Sequence, residues 1–204
     1  MLVMRVSALG EATRTSLPEP CVSCIFWQHD RRVLDERRKQ EWSIATERRH
    51  GSFGRMIHEG GAFRGMVQYG PVSIFPRALA LPAGPPNLDA ALITCIYLAG
   101  TDPAGTAERL LLEALADLKA RNATRVEAFG LRHDESVPLE DRFLGHHTLL
   151  DRTFLEGLGF LPVRTRGQVS VMRLELDRLI PGPGLAERAA NLFLAKSQRR
   201  PAPA

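Results

Sequence analysis

The sequence predicts an α/β fold organised around two parallel strands, and three stretches carry that expectation. Ala90–Leu98 is a continuous apolar run rich in β-branched residues; a short loop with Gly100, Pro103 and Gly105 follows, then a long helical repeat. Strand, small-residue turn and helix thus succeed one another directly. Thr124–Gly130 reads as a second strand reached only after that helix, so a crossover joins the two and they should lie parallel and adjacent. Phe160–Thr165 and Gln168–Leu176 read as a hairpin turned at Arg166 and Gly167.

The other elements follow in chain order. Leu2–Ala8 suits a first strand, Thr13–Pro20 a loop broken by Pro18 and Pro20, and Ser23–Gln28 a short apolar strand. Asp30–His50 is a charged helical stretch that Asp30 can cap, with Val33, Leu34, Trp42, Ile44 and Ala45 along the buried face. Gly51–Gly54 breaks it, and Arg55–His58 is expected as a second short helix. Ala62–Tyr69 alternates as a strand, with Phe63, Gly65, Val67 and Tyr69 on one face. Pro71–Pro86 is punctuated by prolines and should carry the chain across the sheet edge, over a bound ligand. In Thr106–Arg121 the residues Ala107, Leu110, Leu111, Ala114 and Leu118 recur at helical spacing, and Asn122 ends the helix. Leu131–His147 is a long polar loop, of a length that often marks function. Thr148–Leu158 is a short helix.

Bulk properties narrow the class. The chain has 204 residues, 44% hydrophobic and 25% charged, which suits one folded domain, taken as residues 1–180. Residues 181–204 read as a tail helix at Leu185–Ala195 and a flexible basic end. No apolar run approaches the roughly 20 residues a membrane span needs, and the N-terminus lacks a secretory apolar core. Three cysteines argue against a disulfide framework, and Cys21 and Cys24 lack the second pair a structural zinc site wants. A reduced, cytoplasmic protein without a membrane partner is expected. Net charge is +4, with basic residues interleaved among acids, which argues against nucleic acid as the partner. A homodimer is left open.

The turn after Leu98 is the first candidate site. N–H groups at a helix start are unpaired within the helix and sit at the positive end of its dipole, so Asp102, Pro103, Ala104, Gly105, Thr106 and Ala107 are expected to hold a pyrophosphate. Neither a Rossmann nor a Walker glycine pattern is present. The stretch resembles the phosphate loop of the GNAT superfamily of N-acetyltransferases, Gln/Arg-x-x-Gly-x-Gly/Ala, matching at Gly105 and Ala107 and departing at Asp102. Phe154–Phe160 (FLEGLGF) resembles the second motif of that superfamily, and Cys21–Gln28 (CVSCIFWQ) the opening of a bacterial subgroup.

The resemblance implies a mixed sheet of six or seven strands with helices on both faces, its two central parallel strands splayed around acetyl-CoA. It implies that the backbone of Ile96, Tyr97 and Leu98 bonds the pantetheine arm, and that Phe53, at the hinge after the first long helix, contacts an amine acceptor. The tyrosine that often protonates the departing thiolate is replaced by Leu155. For the general base, Glu127 comes first: mid-strand between Val126 and Ala128, it should point away from the helix, near the splay, where apolar surroundings raise a carboxylate's pKa. A structural ion pair to Arg125 or Arg164 is the competing role. His133 is second, ahead of His146 and His147. The implied activity is acetyl transfer from acetyl-CoA to an amine of a small molecule or protein. A non-catalytic acyl-CoA-binding sensor or interaction module is the alternative.

Overall fold

The computed structural model describes residues 3–31, 33–134, 136–138 and 140–177. The tail helix and the domain boundary expected near 180 lie outside the described residues. In chain order the elements are β1 (Met4–Leu9), α1 (Glu11–Arg14), α2 (Glu36–His50), β2 (Gly54–Glu59), β3 (Ala62–Pro71), β4 (Ala91–Leu98), α3 (Pro103–Ala120), β5 (Arg125–Leu131), β6 (Gly145–His147), β7 (Leu150–Asp151), α4 (Arg152–Gly157), β8 (Leu161–Arg166) and β9 (Val169–Glu175). The main sheet runs β1-β2-β3-β4-β5-β9-β8, with short β6 on β4 and β7 on β5. Along this seven-strand path β4 and β5 are parallel and every other pair is antiparallel, as the crossover requires.

Two apolar layers sandwich the sheet. On one face α3 lays Ala107, Leu110, Leu111, Ala114, Leu115 and Leu118 onto Ile93, Val126 and Ala128. A fully buried leucine contributes about 1.5–3 kcal/mol, so this stripe anchors the crossover. Asn122, at φ 64°, ends the helix in the left-handed region that asparagine tolerates. Asp117 locks the far end of α3 to the sheet, accepting from Tyr69 Oη at 2.6 Å and from Arg55 at 2.5 Å. On the other face lie α2 and the 71–86 segment, with Trp27, Phe53, Phe75 and Phe129 in the core.

Several expectations are corrected. Arg55–His58 is strand, not helix: an isolated turn leaves its backbone groups unpaired, whereas β2 pairs with β1 and β3 on both sides. Ser23–Gln28 is a series of turns that meets Leu34 through one bridge at Cys24, yet still buries Ile25 and Trp27. The α2 cap is Asp35, which accepts from Arg38 N at 3.0 Å, rather than Asp30. Val33, Leu34 and Ile44 are exposed, and the buried residues of α2 are Lys39, Ser43 and Thr46. Trp42 sets that phase: its ring lies 4.9 Å from Phe53 and 6.0 Å from Phe75, and its indole N–H reaches Ile74 O at 3.2 Å. A register shift between Ile57 and His58 puts Phe63 with the α2-side cluster, away from Val67 and Tyr69. The 71–86 segment folds as two 3-10 turns and buries Val72, Phe75, Ala78 and Ala83 on the α2 side, inside the β3–β4 connection, rather than crossing a sheet edge. The polar loop after Leu131 returns to the sheet as β6 and β7, so α4 starts only at Arg152.

Candidate active site

The site is built where β4 and β5 part. They pair only at Ala91–Val126, Leu92–Glu127 and Ile93–Ala128. Beyond that, Ile96, Tyr97 and Leu98 pair antiparallel with His147, His146 and Gly145, while Gly130 and Leu131 pair with Leu150 and Asp151. The wedge is therefore filled by the chain's own 145–151 segment. Phe143, before it, is buried with its ring edge-on to Phe154 at 4.9 Å. Asp151, the segment's last residue, caps α4 by accepting from Phe154 N at 2.7 Å and faces Arg142 at 3.5 Å. The edge of β4 that the resemblance gives to pantetheine is occupied here by β6.

The helix start shows the same self-occupation. Pro103 has no N–H. Gly105 N donates to Asp102 Oδ1 at 3.0 Å, and Thr106 N and Oγ1 donate to Asp102 O at 3.1 and 2.8 Å. In this first turn Ala104 N–H is left without a partner among the described residues. A Cβ on Gly105 would collide with the Asp102 carboxylate, so this acid fills the space beside the first turn of α3. Ala107 packs inward, against the sheet.

Glu127 does face away from α3, but at the middle paired position rather than in the wedge. It is fully buried, and both carboxylate oxygens are engaged: Arg173 donates to Oε1 at 2.7 Å and Asn87 N to Oε2 at 2.8 Å. Its partner is Arg173, directly opposite on β9, not Arg125 or Arg164; Arg125 faces Glu175 and Arg164 donates to the carbonyls of Gly84 and Pro85. Cross-strand pairing on one face brings them together, a signal available only once the β5–β9 register is known. His133 follows β5 at the end where the strands part, and its Nε2 is buried without a partner among the described residues. His147 Nε2 lies 2.8 Å from Leu144 O. Leu155 is wholly buried in the α3-side cluster.

Phe53 is a core residue, edge-on to Trp42. With Cys21, Cys24 and Cys95, all free thiols, it lines an interior cavity on the α2 side. Lys39 and Gln68 line it too; the one sequence signal for them was the polar spacing Lys39, Ser43, Thr46 on α2.

No family model matches this sequence, and no curated protein does. Solved structures do match in shape. The Salmonella typhimurium protein yncA, a candidate acetyltransferase solved with acetyl-CoA, is 13% identical with a TM-score of 0.54, over 88% of this chain and 98% of its own. An N-acetyltransferase from Staphylococcus aureus Mu50 is 12% identical, TM-score 0.50, over 85% and 99%. A ribosomal-protein-alanine N-acetyltransferase from Brucella melitensis is 13% identical, TM-score 0.50, over 84% and 99%. With its crossover between parting parallel strands and a helix start facing the wedge, this chain has the fold of the GNAT N-acetyltransferases.

Proposed function

We propose that the chain is an N-acetyltransferase that takes acetyl-CoA into the wedge between β4 and β5 and passes the acetyl group to an amine of a small molecule or protein. The carrying observation is the parting of two parallel strands after Ile93 and Ala128, in front of the α3 N-terminus. The cofactor fits once 145–147 leaves β4, since the backbone of Ile96, Tyr97 and Leu98 then offers the groups that β6 now uses. Residues 104–107 would receive the pyrophosphate, with Asp102 opposing it.

Acetyl-CoA supplies an activated thioester. An alkyl amine, with pKa roughly 10.4, is mostly protonated near neutrality and needs a base before it attacks. His133 serves this role better than Glu127, because its Nε2 is unpaired whereas both Glu127 oxygens are held. Glu127 instead ties β5 to β9 and to the loop at Asn87. Leu155 donates no proton, and a thiol of pKa about 8.5 leaves adequately without one.

Thiol release from acetyl-CoA across an amine panel tests this reading. His133→Gln should lower turnover about a hundredfold or more while acetyl-CoA affinity holds. Hydrogen exchange at 96–98 should change on cofactor addition as one set of bonds replaces another. A second reading, a non-catalytic acyl-CoA-binding module, is favoured by Asp102 over Gly105 and by Leu155. It prevails if acetyl-CoA binds and no amine elicits thiol release.

A further inference from the structure

The interior cavity on the α2 side carries an unusual set of polar groups. It is bounded by Trp27, Gln28, Lys39, Gln68 and Cys95 together with Leu9, Phe53 and Met66. Its volume is about 10 Å³, room for one water-sized sphere or a small ion. Of five buried side-chain atoms without a hydrogen-bond partner among the described residues, three belong to its lining: Trp27 Nε1, Gln28 Nε2 and Gln68 Nε2. All three are donors.

Lys39, 3% exposed, adds an ammonium. It donates to Gln68 Oε1 at 3.0 Å, which fixes the orientation of that amide and leaves Nε2 without an acceptor among the described residues. Its Nζ lies 4.7 Å from the Trp42 ring centroid, and no carboxylate is paired with it among the described residues. Cys95 and Cys21 do not supply the missing negative charge, because burial pushes the first thiol up to about 12 and the second further still. Arg14, also buried, adds positive potential.

A buried donor left unpaired is costly, and a buried ammonium without a counter-charge more so. One species relieves both. An anion accepts from every donor and balances the ammonium, whereas a water accepts at most two bonds and brings no charge. The volume excludes a carboxylate-bearing metabolite, and the ammonium repels an amine. We propose that this cavity binds a small monovalent anion of chloride size, held by Lys39, Gln68, Gln28 and Trp27. The site is independent of the acetyl-transfer reading and lies on the α2 side of the sheet.

Bromide is the probe. Crystals of the full chain prepared in bromide, measured at the bromine absorption edge, should show an anomalous peak between Lys39 Nζ and Gln68 Nε2. In solution, the thermal midpoint should rise with each tenfold increase in chloride against gluconate at matched ionic strength. That rise should vanish in Lys39→Met. The proposal is overturned if bromide appears only elsewhere on the molecule, or if Lys39→Met keeps the parent's chloride dependence. Should the variant fail to fold, the bromide map of the parent decides alone.

Discussion

Under α3 the sheet is sealed by leucines and alanines, while under α2 the corresponding stripe is Lys39, Ser43 and Thr46. Both faces are buried, but by different means. The α3 side draws mainly on apolar area, with polar pairing concentrated at Asp117 near the end of the helix. The α2 side adds hydrogen bonds and charges to its own apolar cluster: Lys39 to Gln68, Ser43 Oγ to Lys39 O, Trp42 to Ile74 O and, further along, Arg173 to Glu127. An apolar face tolerates approximate fit, whereas a polar one is stable only if each group is answered. The α3 face therefore reads as scaffold, and the α2 face holds the cavity whose donors exceed its acceptors.

Breaking a polar pair should produce the largest effect. Arg173→Met strands the wholly buried Glu127 carboxylate and should cost about 3 kcal/mol or more in urea unfolding. Adding Glu127→Gln to that variant should recover part of the loss; no recovery would mean Arg173 acts through packing.

On the apolar face, Leu111→Ala should cost about 3 kcal/mol by leaving a cavity under α3. Lys39→Met, equally buried, should cost far less or stabilise in chloride-free buffer, because it removes an unbalanced charge. Burial lowers the Lys39 pKa from 10.5, aided by Arg14, while the nearby thiols of Cys21, Cys24 and Cys95 act oppositely. The unfolded chain then binds the extra proton first, so the Lys39 contribution improves as pH rises from its folded pKa toward 10.5. Parent-minus-Lys39→Met stability should climb across that window. Subtracting the variant largely cancels the cysteines' own titration, which weakens the fold above about pH 9 because burial raises Cys21 and Cys95.

Smaller effects should appear at the wedge. Asp102→Asn keeps the helix cap and removes a charge beside the pyrophosphate position, so acetyl-CoA should bind roughly five- to tenfold tighter by calorimetry. Gly145 sits at φ 86°, with nothing within 4 Å of an added Cβ. Gly145→Ala should therefore strain β6 alone, by about 1 kcal/mol, and tighten acetyl-CoA roughly fivefold if β6 and cofactor compete for β4. Unchanged affinity would mean that they do not meet.

Legibility followed how local each signal was. The α3 stripe, the strands flanking it, the final hairpin and the Asn122 stop rest on neighbours in sequence, and each stands where the pattern put it. The phase of α2 is not legible in the sequence, because Val33, Leu34 and Ile44 look like a buried face until Trp42 docks on Phe53 and Phe75. The sequence shows Glu127 facing away from the helix, but its paired position and its Arg173 partner, 46 residues away, depend on register.

The sequence by itself determined the crossover and hence the parallel pair, because an apolar strand, a tight turn and an amphipathic helix leave few other ways to bury their faces. Tertiary structure decided who occupies the wedge. Gly145–His147 is unremarkable as a tripeptide, and it becomes a strand only because β4 and β5 part and leave unpaired backbone that some chain must satisfy. The same holds for Lys39, an ordinary helix residue in sequence, whose burial among donors follows from packing across three elements.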